Sequence, residues 1–279
     1  MTLVNDRLLA VLDKVDPQKR YFTGAKANKE VANIFGNKAL VFGLQFQGTT
    51  ETLTEIPDAA TDLRLFLTSD VDELLYEILN TGIGNRLTRL EIGGAKNNGI
   101  DYKNYDFSKV SSVLEQFDFP ELTVFTYGDD SLLANEHKFY GNLGNITNVL
   151  PKMSNLRELE LFGNFVINKP ITFPSLRQFV IIMDDWATHV NGGKISAESI
   201  ENLLSSHYPK LKELEFNLDF NDEAYEYRIP ENFLNGVNAP QLSLLSFAGK
   251  FKKGSLSAVQ QSTFIGSIKS VEFNEMTDS

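Results

Sequence analysis

The chain has 279 residues, of which 42% are hydrophobic, with a net charge of −11 and no cysteine. The lack of cysteine excludes disulfide bonds, thiolate metal sites and a cysteine nucleophile, and no stretch approaches the ~20 apolar residues that span a bilayer. The acidic charge argues against nucleic acid and anionic membrane as partners. Because Met1 to Lys14 do not form a signal-peptide pattern, we expect a cytoplasmic protein.

Residues 1–37 are predicted to form an N-terminal helical cap. The apolar face of this predicted helix comprises Leu8, Leu9, Val11, Leu12 and Val15. An array of stacked repeats exposes its core at both ends, and a terminal cap covers such an end. The alternative, that residues 1–37 also dock another molecule, stays open.

Residues 38–279 repeat a short sequence motif, here called the strand phrase. It consists of an apolar residue, two variable residues, a second apolar residue, one variable residue and a third apolar residue, and the last two apolar residues alternate with polar ones. Such alternation predicts a β-strand in each copy. The clear copies are Leu87-Leu90-Ile92, Leu122-Phe125-Tyr127, Leu156-Leu159-Leu161, Leu176-Phe179-Ile181, Leu211-Leu214-Phe216 and Leu242-Leu245-Phe247. The weaker copies are Val41-Leu44-Phe46, Ala60-Leu63-Leu65 and Ile268-Val271-Phe273.

Helices are predicted between the strands. A proline two residues before the first Leu stops the incoming helix and marks the turn into the strand; these prolines are Pro120, Pro174, Pro209 and Pro240. Helical patterns cover residues 107–117, 146–150, 196–206 and 230–234. The interval 164–173 is too short for a full helix, and we expect an extended or turn-like convex segment there.

The order of strand, helix and proline turn resembles the leucine-rich-repeat superfamily, most closely its largely uncharacterised bacterial cytoplasmic members. Residues 156–164 (LRELELFGN) match the family's strand-plus-asparagine motif in full. The other clear copies replace the asparagine by Ala95, Asp130, Asp184, Asp219 or Lys250. The resemblance covers residues 40–275 and implies an α/β leucine-rich-repeat solenoid, with a parallel β-sheet on the concave face and helices on the convex face. It also implies recognition rather than catalysis.

A binding site is predicted on the concave face. Strand residues between the core positions point to that face, because successive side chains of a strand alternate. The predicted site comprises Glu91, Glu158, Glu160, Phe162, Val180, Ile182, Asp184, Asp185, Trp186, Glu213 and Glu215. Carboxylates steer a basic protein partner and a few apolar side chains supply affinity.

The charge distribution supports the same interpretation. Residues 1–40 carry a net charge of +3 and residues 249–279 carry +1, which leaves −15 for residues 41–248. The alternative is that these carboxylates only keep the surface soluble. Trp186, in the same way, either anchors a partner or covers one edge of the core.

Two other functions stay open. An immunity or inhibitor protein that neutralises a basic toxin fits the acidic charge. A hydrolase would use the carboxylates Asp184 and Asp185 with His189. These residues lack a recognisable set of metal ligands, so neither a metal nor another cofactor is predicted. The oligomeric state is not predicted.

Overall fold

The structure is a computed structural model that describes residues 2–3, 6–15, 22–23, 35–42, 55–67, 70–94, 106–128, 141–183, 195–218 and 226–278. Over these ranges the fold is α/β, with nine parallel strands side by side and six α-helices. The sheet is open, since its two edge strands do not pair with each other to close a barrel.

The elements are numbered in chain order. The strands are β1 (Thr2–Leu3), β2 (Phe22–Thr23), β3 (Ala39–Phe42), β4 (Glu55–Ile56), β5 (Asp62–Leu67), β6 (Arg89–Gly94), β7 (Val124–Tyr127), β8 (Gly141–Asn145), β9 (Glu158–Val166), β10 (Gln178–Ile182), β11 (Glu213–Asn217), β12 (Leu244–Phe251) and β13 (Ser270–Asp278). The α-helices are α1 (Asp6–Val15), α2 (Val71–Leu79), α3 (Ser108–Leu114), α4 (Ala197–Leu204), α5 (Glu231–Leu234) and α6 (Ser255–Gln261).

The main sheet follows the chain from β3 to β13 in parallel pairs, with β8 set aside. Strand β2 pairs antiparallel with β3 at one edge, and β13 forms the other edge. Strand β8 pairs instead with the second half of β9, and β1 pairs with β4 in a separate two-stranded sheet. Apart from β4 and β8, the strands from β3 to β13 have the same order in the main sheet as along the chain, because each connection places the next strand of the main sheet beside the previous one.

Strand alternation sets the two faces of the sheet. Leu159 and Leu161 of β9 lie opposite Phe179 and Ile181 of β10, and all four side chains are fully buried. The residues between them point to the other face. The core thus fills the space between one face of the sheet and the helices, and it forms one contiguous cluster.

Eight of the nine predicted strand phrases are confirmed in their register, and the first is wrong. In β3, Leu40 and Phe42 lie opposite the core residues Leu63 and Leu65 of β5. The phrase Val41-Leu44-Phe46 is therefore four residues too far along the chain. Residues 43–54 lie outside the described ranges.

The predicted helices agree with the structure at three of four places. Helix α3 lies within residues 107–117, α5 follows Pro230, and α4 begins after Ser196, whose Oγ accepts a hydrogen bond from the Ser199 N–H at 3.1 Å. Residues 146–150 form a turn that leads into a 3₁₀ helix, Leu150–Lys152, instead of an α-helix. No helix in the described ranges is long and apolar enough to cross a membrane.

The interval 164–173 has no helix and combines extended backbone with a bend at Lys169, in agreement with the prediction. Side chains of α4 and of the turn after it form hydrogen bonds with this backbone. The Ile167 N–H donates to Ser199 Oγ at 3.1 Å, and the Ile171 N–H donates to Ser206 Oγ, just after the helix, at 2.9 Å. Asn202 Nδ2 donates to the Ile167 carbonyl at 2.9 Å. These bonds satisfy buried polar groups that a helix would otherwise satisfy internally.

Helix α1 packs against α2 and buries Leu8 and Leu12. Arg7 Nε contacts Glu77 Oε1 at 2.6 Å, and the Glu77 side chain is only 4% exposed. Lys14 bridges Asp70 and Glu73 at 3.0 and 2.9 Å in a more exposed position. The N-terminal helical cap over residues 1–37 stays a prediction.

We predict that Arg7→Ala lowers the free energy of unfolding by about 1–3 kcal/mol, because it leaves the buried Glu77 carboxylate without its cation. Urea denaturation measures the change. The double variant Arg7→Ala/Glu77→Gln should regain much of the loss, because the neutral amide is cheaper to bury. Lys14→Ala, at an exposed ion pair, should have the smaller effect. If Lys14→Ala lowered the free energy of unfolding as much as Arg7→Ala, the buried ion pair of Arg7 and Glu77 would not be the stronger of the two.

Candidate binding surface

The sheet face opposite the core, here called the polar face, carries two rows of side chains in register. The first row is Asp62, Arg89, Val124, Glu158, Gln178, Glu213, Leu244 and Ser270. The second row is Arg64, Glu91, Thr126, Glu160, Val180, Glu215, Ser246 and Glu272. From β5 onward both rows lie on the face that strand alternation predicts for the residues between the core positions.

The first strands of the polar face carry a compensated charge cluster. Arg64 Nη1 donates to Glu91 Oε2 at 2.6 Å, and Nε and Nη2 donate to the two Asp62 carboxylate oxygens, each at 3.0 Å. The Arg64 guanidinium also lies 4.7 Å from the ring centroid of Phe35. The Glu91 side chain is 8% exposed. The prediction that Glu91 is an exposed binding carboxylate is therefore wrong, because Arg64 binds and covers it.

The predicted exposure of Phe162 is also wrong, since this side chain is 7% exposed and belongs to the core cluster. Strict alternation ends at this place, where Leu161, Phe162 and Gly163 are all buried. The reason is a change of partners: β9 pairs with β10 up to Phe162 and with β8 from Gly163 onward. At this junction the residue that alternation assigns to the open face becomes enclosed.

The exposed part of the polar face is an acidic patch, made of Glu158, Glu160, Gln178, Val180, Glu213 and Glu215. Across the strands, Glu158 lies opposite Gln178, which lies opposite Glu213; likewise Val180 separates Glu160 from Glu215. Glu158 and Glu213 are exposed, while Glu160, Val180 and Glu215 are half-buried. From strand geometry, the four carboxylates mark the corners of a rectangle of roughly 10 Å by 7 Å.

The four carboxylates of the patch have no cationic partner within the described ranges. The ion pairs found there lie on the helices, in the turns and in the Arg64 cluster. Glu160 accepts one hydrogen bond, from Thr126 Oγ1 at 3.0 Å. That bond orients Glu160 and leaves its charge uncompensated. The patch therefore presents four negative charges, with the apolar side chain of Val180 between Glu160 and Glu215.

Two side chains beside these carboxylates were left out of the predicted site. Gln178 lies between Glu158 and Glu213, and Leu244, which is 38% exposed, lies next to Glu213 on β12. Strand alternation placed both on this face, but their residue types carry no charge or aromatic ring to single them out. Leu244 adds a second apolar side chain on the β12 side of Glu213.

The remaining predicted site residues are not part of the patch. Ile182 is half-buried and packs against the core cluster. Asp184, Asp185 and Trp186 lie outside the described residues, as does His189. Among the residues that are described, no group of three His, Asp or Glu side chains is placed to hold a metal ion.

Comparison with known proteins identifies no family. No protein-family model and no curated protein matches the chain. One solved structure, of a Bacteroides fragilis protein determined as a structural-genomics target, is similar with a TM-score of 0.45 and 17% sequence identity. The match covers 74% of this chain and 64% of that protein, so the chain spans less than two thirds of its length.

The burial of Phe162 generates a stability prediction. Phe162→Ala should lower the free energy of unfolding by about 3–5 kcal/mol, as expected when a large core side chain is removed and a cavity remains. Chemical denaturation checks it. Val180→Ala, on the half-buried patch, is the matched control and should cost about 1 kcal/mol or less. Similar decreases in the free energy of unfolding for the two variants would contradict the burial of Phe162.

Proposed function

We propose that this chain is a non-catalytic protein-binding module whose acidic patch holds a basic segment of its partner. The observation that carries the proposal is the set of four carboxylates, in register on β9 and β11, without a cation among the described residues. Like charges this close repel one another through the solvent. A lysine or arginine placed between them relieves that repulsion and forms charge-assisted hydrogen bonds.

The apolar side chain between Glu160 and Glu215 suits the stem of such a lysine or arginine. Lysine and arginine stems pack along apolar surface while their charged ends reach polar groups. Val180 and the exposed Leu244 offer that surface, and Gln178 offers both a hydrogen-bond donor and an acceptor. The net charge of −15 on residues 41–248 adds long-range attraction, which speeds the encounter with a basic partner.

We further propose that the fold is a leucine-rich-repeat solenoid, with the polar face on its concave side, and that the protein works in the cytoplasm. Strands in chain order, with one repeated phrase in register, support the solenoid. The absence of cysteine supports a reducing compartment. Asp184, Asp185 and Trp186 directly follow Met183, the residue after β10, and they stay in the proposal as an extension of the binding surface.

Charge reversal tests the patch. The double variant Glu158→Lys/Glu213→Lys changes two exposed side chains and should keep the fold. Its affinity for a captured partner should fall at least tenfold, because each lost charge-assisted hydrogen bond contributes about 1.5–3 kcal/mol. Partners are captured from the native host with the wild-type chain and identified by mass spectrometry. The affinity of the purified partner is then measured by titration calorimetry.

The control is Glu121→Lys/Glu226→Lys, which changes the net charge by the same amount at exposed positions away from the patch. It should bind as the wild type does at matched ionic strength, apart from a small effect on the association rate. If both double variants lowered the affinity for the partner equally, the interaction would be general electrostatic attraction rather than binding at the patch. Unchanged binding by the patch variant would exclude this face as the binding site.

A further inference from the structure

The strand β13 forms an open edge of the sheet. It spans nine residues, with a regular register against β12 from Ser270 to Asn274 and a β-bulge between Asn274 and Thr277. Among the described residues no strand pairs with its far side. Its core-facing residues, Val271 and Phe273, are only half-buried, whereas their neighbours on β12, Leu245 and Phe247, are 0% and 1% exposed. Among the residues that the structure describes, nothing pairs with the outer side of the β13 backbone, and the core side chains on this strand are partly accessible.

The backbone of β13 offers a free row of hydrogen-bonding groups. The Ser270 N–H donates toward the β12 side, to the Ser243 carbonyl at 3.1 Å. Because alternate residues of a strand direct their N–H and C=O groups to opposite sides, those of Val271 and Phe273 point outward. Such an edge is a template for another strand unless it is covered.

An aromatic stack ends at this edge. The rings of Phe216 and Phe247 have centroids 5.4 Å apart and are inclined by 12°, and those of Phe247 and Phe273 are 6.3 Å apart at 27°. Phe273 is the last ring in the row and is partly exposed. Another aromatic side chain on an added strand would continue the row and cover it.

Charge favours a second copy of this chain as the occupant. Two copies with a net charge of −11 repel each other over most of their surfaces, but residues 249–279 carry only +1. When the same surface of two copies meets, as about a two-fold axis, repulsion is therefore least at this end, because residues 1–40 carry +3 and residues 41–248 carry −15. A basic partner is drawn instead to the acidic patch on β9 to β11. Pairs related by a two-fold axis are also the most common protein oligomers.

We propose that two copies pair antiparallel through β13, with Phe273 of each copy opposite Phe273 of the other on the two-fold axis. This register forms a reciprocal pair of backbone hydrogen bonds at Phe273. It also avoids placing Glu272 of one copy directly opposite its equivalent in the other. The sheet then continues from one molecule into the next, and the half-buried core residues of the two ends cover each other.

Val271→Pro tests the backbone pairing. Proline removes the outward N–H of residue 271 and leaves the bonds from β13 to β12 intact, which an edge strand tolerates. Sedimentation velocity should show a dimer for the wild type, and Val271→Pro should raise the dimer dissociation constant at least tenfold. The matched control, Val271→Ala, also loses the valine side chain but keeps the N–H, and should dimerise more tightly than the proline variant.

A cysteine placed on the proposed axis tests the register independently of Val271→Pro. The chain has no native cysteine, so Phe273→Cys introduces the only thiol. Directly opposed residues of a hydrogen-bonded antiparallel pair have Cα atoms about 5.5 Å apart, within disulfide range. Mild oxidation should link Phe273→Cys into dimers much faster than the control Glu121→Cys.

Three results would overturn the proposal. The first is a wild-type chain that stays monomeric up to about 100 μM, well above the dissociation constants of stable dimers. The second is equal dimer affinity of the proline and alanine variants. The third is cross-linking of Phe273→Cys no faster than of Glu121→Cys, which decides the question even if Val271→Pro does not fold.

Discussion

The register of the parallel strands determines both faces of this protein at once. Because successive side chains of a strand point to opposite faces, Leu159 and Leu161 lie in the core and Glu158 and Glu160 lie on the polar face. A slip of β9 by one residue would expose the leucines and bury the carboxylates without partners. Burial of an uncompensated charge costs several kcal/mol. The hydrophobic core therefore holds the carboxylates of the patch at their spacing.

The same constraint explains how the array tolerates repeats of unequal length. The connection between β9 and β10 has no helix, yet the two strands keep their register, because α4 and the turn after it supply Ser199, Asn202 and Ser206 to the extended backbone. Asn238 has a comparable role for the turn after α4, where its Nδ2 donates to the Leu204 and Ser206 carbonyls. Hydrogen bonds from polar side chains thus satisfy the backbone where a helix is missing, and the register of the sheet is unchanged.

Sequence patterns predicted the strands well because alternation is local, and they failed where a distant element intervenes. The apolar run from Leu40 to Phe46 has the same alternation throughout, so periodicity assigned the face of β3 but not its position along the ladder. Glu91 has an ordinary exposed pattern, and its burial depends on Arg64, 27 residues earlier in the chain. The burial of Phe162 depends on a second ladder, between β8 and the second half of β9, and the repeated phrase did not predict β8.

The acidic patch and the β13 edge, both proposed as interaction surfaces, are compatible. An antiparallel pair of edge strands has its two-fold axis perpendicular to the sheet, which keeps the polar faces of both copies on the same side. Strand β11 is two strands from the edge. In the dimer, the nearest strands of the two patches are thus five strand spacings apart, about 24 Å. A partner with two basic segments at that separation would bind both patches, and its avidity would exceed the affinity of either alone.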